Sequence, residues 1–281
     1  MRIRIVADSS SNILAIPGIE FANAPLTIST DEKSFIDDSS LDLDAMLEYL
    51  ASYKGRSFTS CPNIDQWLKC FDNADIVYVV TITSNLSGSY NSAVQAAKIF
   101  KENNPNSKIH VFDTLSTGPS MQLLVEKLCE YIKEGLSFEE TVNLAKTYIK
   151  YTRLFFSLQS FHNLAQNGRI NKAVALIAGK LGIRILATAS TVGTIETLEK
   201  CRGEQKTLSS FIEKIKEAGY KGGKVLITHC NNLPFAENVA NAIKENFPKA
   251  KISISRMRGL CSFYAEKGGV ILGCECDKIY E

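Results

Sequence analysis

Six hydroxyl side chains, Thr81, Thr83, Ser84, Ser87, Ser89 and Ser92, fall within a short stretch that also holds Asn85, Asn91 and Gly88 and carries no charge. Hydroxyls and backbone amides aimed at one spot can hold a small anion, such as a carboxylate or phosphate, without burying a counter-charge. The competing explanation is that Ser and Asn here cap a helix, which they do well. One or two such residues suit capping; this many favour a site. Nucleophilic chemistry has less support, because a serine nucleophile needs a neighbouring base and the pattern G-x-S-x-G is absent. The three histidines lie elsewhere: His110 within a strand pattern, His162 within a helix pattern, His229 at a strand end. Ser87 therefore reads as a binding hydroxyl and not an attacking one. Neither G-x-x-x-x-G-K-[ST] nor G-x-G-x-x-G occurs, so nucleotide binding has no positive sign. Among eight cysteines only Cys274 and Cys276 are close in sequence. A C-x-C with His229-Cys230 as its second half is a weak zinc signal. Reduced, buried thiols are the better account, and no metal or other cofactor is expected.

The elements that position this stretch are a strand before it and a helix after it. Ile76 to Val80 is a near-continuous apolar run, as in strands covered on both faces. Tyr90, Ala93, Val94 and Ala97 repeat with helical spacing. In an open α/β sheet, ligands bind beyond the carboxyl ends of the strands, where helix N-termini also point. Other polar turns follow the same logic: Asp8 to Asn12 after a strand at Ile3 to Ala7, Phe58 to Asn63, and Asp113 to Ser120 after a strand at Ile109 to Phe112. A further strand is expected around Pro25 to Ile28. Asp42 caps a helix with Leu43, Met46, Leu47 and Leu50 on one face. Ile64, Trp67, Leu68 and Phe71 form a stripe that reads as plain core. Leu124, Leu128 and Tyr131 mark another helix, and Ser137 with Glu140 makes a capping box for the next. Alternating strands and helices argue for a mostly parallel sheet with helices on both sides.

After about Tyr151 the texture changes. Strands are expected at Leu154 to Phe156, Ile183 to Ala187, Val192 to Leu198, Lys224 to Thr228, Lys251 to Ser255 and Val270 to Leu272. Helices are expected at Leu158 to Ala165, from Ala173 through Leu176, Ile177 and Leu181, and from Pro234 to Asn246. These residues predict an α+β domain, giving 1–151 as an N-terminal α/β domain and 152–281 as a C-terminal one packed over a shared cleft. The net charge of +2, with 32 basic residues dispersed among 30 acidic ones, argues against a nucleic-acid surface. No apolar run approaches the ~20 residues that span a bilayer. The start, Met1 to Val6, enters a strand with no signal-peptide pattern, so a cytoplasmic location is expected.

Six motifs in order and spacing resemble the DegV family: Asp8-Ser9-Ser10, Thr59-Ser60-Cys61-Pro62, Thr83 through Ala93, Phe112-Asp113-Thr114, Asn167-Gly168-Arg169-Ile170, and Leu198-Glu199-Lys200-Cys201-Arg202-Gly203. The resemblance implies two α/β domains with one long-chain fatty acid buried between them, and no catalysis by the chain itself. It also implies that some members present the lipid carboxylate to a fatty acid kinase, which forms an acyl phosphate for phospholipid synthesis. Carried over by motif, the hydroxyls of Thr59 and Ser87 hold the carboxylate, with Ser60 and Gly88 beside them in the site. Arg169 serves near the head group or the kinase. The sequence departs from the family at one place. Without a gap, Tyr264 falls where the family has a His that helps hold the carboxylate, and a phenol donates one hydrogen bond but does not become cationic near neutral pH. Two other readings use the same Ser/Thr loops: a hydrolase or phosphoryl- or acyl-handling enzyme, and a regulatory sensor of another amphiphile.

Overall fold

The computed structural model describes residues 1–175 and 182–279, without the side chains of 174 and 175. The expected helical positions Leu176, Ile177 and Leu181 lie outside the described residues. Two compact units divide the chain: Met1–Thr117, Met121–Ile149 and Arg258–Leu260 form one, and Gly118–Ser120, Lys150–Met257 and Cys261–Glu281 the other.

The first unit is built on β1 (Ile3–Asp8), β2 (Glu20–Ala24), β6 (Ile76–Thr81) and β7 (Lys108–Asp113), all parallel in the order β2-β1-β6-β7. Every residue of β6 is buried, as its apolar run predicts. Helices α1 (Leu43–Ser52), α2 (Ile64–Phe71), α3 (Ser89–Asn103), α4 (Pro119–Lys133) and α5 (Phe138–Lys150) follow the expected stripes. On one face of the sheet Trp67, Phe71, Ala93, Ala96 and Phe100 pack on Val6, Ala24, Val77 and Val79. On another side Tyr78 stacks on Phe138 with ring centroids 5.4 Å apart. The caps foreseen at Asp42 and Ser137 are present: Asp42 Oδ1 accepts from the Ala45 amide at 3.0 Å, and Glu140 Oε2 accepts from the Ser137 amide at 2.9 Å.

Two departures in the first unit concern strands; in the second, the strand expected at Val192 to Leu198 runs Ile195–Arg202, and Leu158 ends a strand instead of starting a helix. The single strand expected around Pro25 is two, β2 ending at Ala24 and β3 (Thr27–Ser29) beginning after it. Pro25 has no N–H to continue a ladder, so pairing breaks there. The turn expected at Phe58 to Asn63 starts as β5 (Phe58–Ser60), which with β3 and β4 (Ser34–Ile36) makes a small antiparallel sheet in the order β4-β3-β5.

The second unit is a six-stranded sheet ordered β10-β9-β8-β13-β11-β12. Its strands are β8 (Thr152–Leu158), β9 (Ile183–Ala189), β10 (Ile195–Arg202), β11 (Lys224–His229), β12 (Lys251–Arg256) and β13 (Val270–Glu275), and only the β11/β12 pair is parallel. Helices α6 (His162–Gln166), α7 (Lys172–Ala175), α8 (Glu204–Glu217), α9 (Leu233–Asn246) and α10 (Gly259–Ala265) accompany it. Phe211, Ile215, Phe235, Val239 and Ile243 from α8 and α9 cover Phe155, Leu186, Val270 and Leu272. Helix α8 is not anticipated from the sequence, because polar residues fill most of its first two turns. Gly273 in β13 is required by close approach: a Cβ there would lie 2.8 Å from the Pro119 carbonyl carbon and the Ser120 nitrogen.

Candidate functional site

In the first unit the chain leaves β1 toward β2 on one side and leaves β6 toward β7 on the other, so the strand order reverses between β1 and β6. Open α/β sheets form their ligand crevice at such a reversal. The segment from Thr81 to Ser92 follows β6 there, and it is held from both flanks. On the β1 side the Asp8 carboxylate accepts from the Ile82 amide at 2.9 Å and the Ser89 hydroxyl at 2.6 Å. The same carboxylate accepts from the Ser10 amide at 3.1 Å and from the Ser10 hydroxyl. On the β7 side Asp113 Oδ1 accepts from the Ser84 amide at 3.1 Å, and the Thr83 amide donates to the Ser116 carbonyl at 2.9 Å. Asp8 is fully buried, and burial pushes its carboxyl above the ordinary value while the four donors pull it back.

Most of the hydroxyls that mark this segment in the sequence are used by the fold. Thr81 donates to the Phe112 carbonyl at 3.1 Å, Ser92 donates to the Pro62 carbonyl at 2.7 Å, and Thr83 Oγ1 accepts from the Asn85 amide at 3.3 Å. Ser87 differs. Its oxygen accepts from the Ser89 amide at 3.2 Å, which leaves its own O–H to donate.

The Thr59 and Ser87 segments come together. The Ser92–Pro62 bond ties the turn after β5 to α3, and a Cβ on Gly88 would meet Cys61 Sγ at 3.2 Å. Thr59 stands opposite Ile28 in the small sheet and is half-buried. Ser60 pairs with Thr27 and is exposed, so strand alternation turns it to the other face, with Phe58 and Ile36. The turn after β5 thus lies against the start of α3, and Ser60 faces away from Thr59.

Arg169 and Tyr264 belong to the second unit. Gly168 ends α6 with φ 74°, and the Arg169 amide donates to the Leu164 carbonyl at 2.8 Å, which fixes where the arginine leaves the turn. Tyr264 lies on α10, with its ring centroid 4.9 Å from that of Phe263. Asn163 couples the two elements: its side chain donates to the Phe263 carbonyl at 2.8 Å, and its amide donates to Glu266 at 3.1 Å.

Asp8, Asp37 and Asp113 are positioning residues whose role sequence reasoning misses, although Asp8 and Asp113 stand in its polar turns and motifs. Asp37 is buried and accepts from the amides of Gly259 and Leu260, each at 2.8 Å, at the start of α10. Its carboxyl, like that of Asp8, is pushed up by burial and pulled back by its donors. An Asp at the end of a strand was the available signal for Asp8 and Asp113; nothing local marks Asp37.

Two of the histidines are held toward their neutral form. His110, half-buried in β7 against Phe112, is lowered to about 4 by burial and by Lys146. His229 is lowered by burial and by Arg256, and its Nδ1 accepts from the Asn232 amide at 3.2 Å. Among the described residues no cluster of three His, Cys, Asp or Glu side chains could hold a metal, and no helix is long and apolar enough to cross a membrane. The zinc pairing of C-x-C with His229-Cys230 fails on geometry: Cys274 pairs with Val225 and Val270 with His229, so the two halves sit at opposite ends of the β11/β13 ladder.

Comparison with known proteins agrees with this architecture. A crystal structure of a DegV family protein from Eubacterium eligens loaded with heptadecanoic acid matches with a TM-score of 0.96 and 46% identity, over 98% of this chain and 100% of that one. The Streptococcus pneumoniae Fatty Acid Kinase (Fak) B3 protein loaded with linoleic acid matches with a TM-score of 0.96 and 41% identity, over 99% of this chain and 100% of that one. A DegV domain-containing protein of Streptococcus gordonii is 43% identical over 279 residues, 98% of this chain and 99% of the relative. The family profile described as "Uncharacterised protein, DegV family" matches residues 2–273. The chain belongs to the DegV family.

Proposed function

We propose that this protein is a non-enzymatic carrier that binds one long-chain fatty acid and presents its carboxylate to a fatty acid kinase. The observation that carries the reading is the joining of the Thr59 and Ser87 segments, with the Ser87 O–H left to donate beside a helix start. Neutral donors of this kind suit a carboxylate that must stay reactive, because they orient it without pairing it to a fixed cation. The fatty acids carried by the Eubacterium eligens and Streptococcus pneumoniae proteins support the ligand class, and the kinase name of the latter supports the partner. Residues 1–151 act as the domain bearing the head-group hydroxyls, and residues 152–281 contribute Arg169 and Tyr264. Tyr264 takes the hydrogen-bonding role of the family His, and Arg169 acts near the head group or at the kinase. Eight free thiols suit a reducing compartment, and the reading is of a cytoplasmic protein.

The test is native mass spectrometry of gently purified protein, followed by organic extraction. One fatty acid per chain is expected. A protein that emerges empty, and takes up no fatty acid across a range of chain lengths, would overturn the carrier reading.

A further inference from the structure

Cys274 and Cys276 point the same way from the end of β13, and their sulfurs are 3.6 Å apart within the apolar core of the second unit. A single buried cysteine behaves as a small hydrophobe. Two in contact, facing a cation, have further chemistry. Arg153 stands directly opposite Cys274 in the β8/β13 ladder and is itself only 4% exposed. Its guanidinium donates to the carbonyls of Lys150 at 2.9 Å, Thr152 at 2.8 Å and Lys278 at 2.5 Å. The hydrogen bond from Cys274 and the nearby guanidinium hold the Cys276 thiol below its usual range, and that same bond with burial holds Cys274 well above its own.

A bridge requires the backbone at Cys276, which lies outside the strand, to turn inward so that the two Cβ atoms approach to about 3.5–4.5 Å. Residues two apart in an extended strand have Cα atoms about 6.6 Å apart from a rise of about 3.3 Å per residue, inside the range of about 4.4–6.8 Å that a disulfide spans. Cys276 lies one residue past β13, tied by its amide to the Tyr151 carbonyl at 2.7 Å, and Asp277, Lys278 and Ile279 after it are exposed. Fraying of residues 277–279 would uncover Cys276 before Cys274.

We propose that Cys274 and Cys276 form a reversible dithiol–disulfide pair that exchanges with low-molecular-weight disulfides. The Cys276 thiolate attacks one sulfur of R–S–S–R, forming a mixed disulfide and expelling RS⁻. Cys274 then gives up its proton and its sulfur attacks that of Cys276, expelling the second RS⁻. The two protein thiols lose two electrons, the small disulfide gains them, and two RSH leave with the two protons. A bridge at the upper end of the allowed span is strained and easily reduced, which suits a sensing pair more than a structural one.

The folded protein is equilibrated with mixtures of reduced and oxidised glutathione, quenched by alkylation and digested with trypsin. Both cysteines fall in the one peptide between Lys267 and Lys278. In oxidising mixtures that peptide should be lighter by two hydrogens and unalkylated, and dithiothreitol should restore both alkylation sites. In Cys274→Ser the reaction should stop at a glutathione adduct on Cys276. Full alkylation of both residues at every glutathione ratio overturns the proposal. So does a bridge that forms only in urea, or one that pairs either residue with another of the cysteines.

Discussion

Replacing Asp8 with Ala removes the acceptor for four donors at the reversal of the parallel sheet. The hydroxyls of Ser10 and Ser89 can rotate toward other acceptors. The amides of Ile82 and Ser10 are fixed by the backbone and cannot, and a buried donor left unpaired costs about 1–3 kcal/mol. Two such amides amount to roughly 2–6 kcal/mol. Relief from burying the carboxyl, which burial pushes above its ordinary value, offsets part of this. A net loss of about 2–4 kcal/mol is expected, a large share of the 5–15 kcal/mol typical of folded domains. Asp8→Asn keeps one acceptor oxygen and should lose less. Urea unfolding of the lipid-free proteins measures both, with Cm falling and the slope unchanged. Because the folded protein holds a proton on Asp8 to higher pH than the unfolded chain, its contribution is largest at low pH and declines as pH rises through the raised value. The gap between wild type and Asp8→Asn should therefore widen on acidification. Fatty acid affinity should fall in both variants, since the Ser87 segment loses an anchor. A stability of Asp8→Ala within ~0.5 kcal/mol of wild type, the range of ordinary surface changes, would refute the assignment.

Three further outcomes follow from the site and its surroundings. Ser87→Ala and Thr59→Val should each weaken fatty acid binding about tenfold to a hundredfold, the value of one hydrogen bond to a charged group, whereas Ser60→Ala should leave it unchanged; titration of delipidated protein decides. Arg169→Ala should retain its fatty acid by mass spectrometry while acyl phosphate formation with a fatty acid kinase drops sharply, and unchanged turnover removes Arg169 from the site. His110 is neutral in the folded protein down to about 4, while the unfolded chain protonates near the usual His value, so stability should decline as pH falls from about 6.5 to about 4. His110→Gln should flatten that limb in urea melts taken across the range.

The parallel sheet was readable because β6 is apolar at every turn of the strand, and the stripe Trp67–Phe71 because its helical spacing is uninterrupted. The caps at Asp42 and Ser137 were readable because their partners lie three residues away. What stayed hidden depends on distance along the chain. The hydroxyl of Ser89 is taken by Asp8, 81 residues earlier, and Asp37 serves amides more than 220 residues later. No local pattern carries such pairings, so a segment whose hydroxyls mostly brace the fold looks, in sequence, like one dense with ligand donors. The opposite facing of Thr59 and Ser60 was lost for a simpler reason: a three-residue strand gives too few positions for alternation to be seen.

The return of the chain to its first unit for Arg258–Leu260 alone bears on how the protein is made. A ribosome delivers the rest of that unit by Ile149, yet the amides that pair with Asp37 belong to Gly259 and Leu260. At about 5–20 residues per second they follow roughly 5–20 s later. During that interval the nascent unit holds a carboxylate destined for burial with its amide partners still unsynthesised. Water must solvate Asp37 until they arrive, so the region around it closes only once Leu260 has been made.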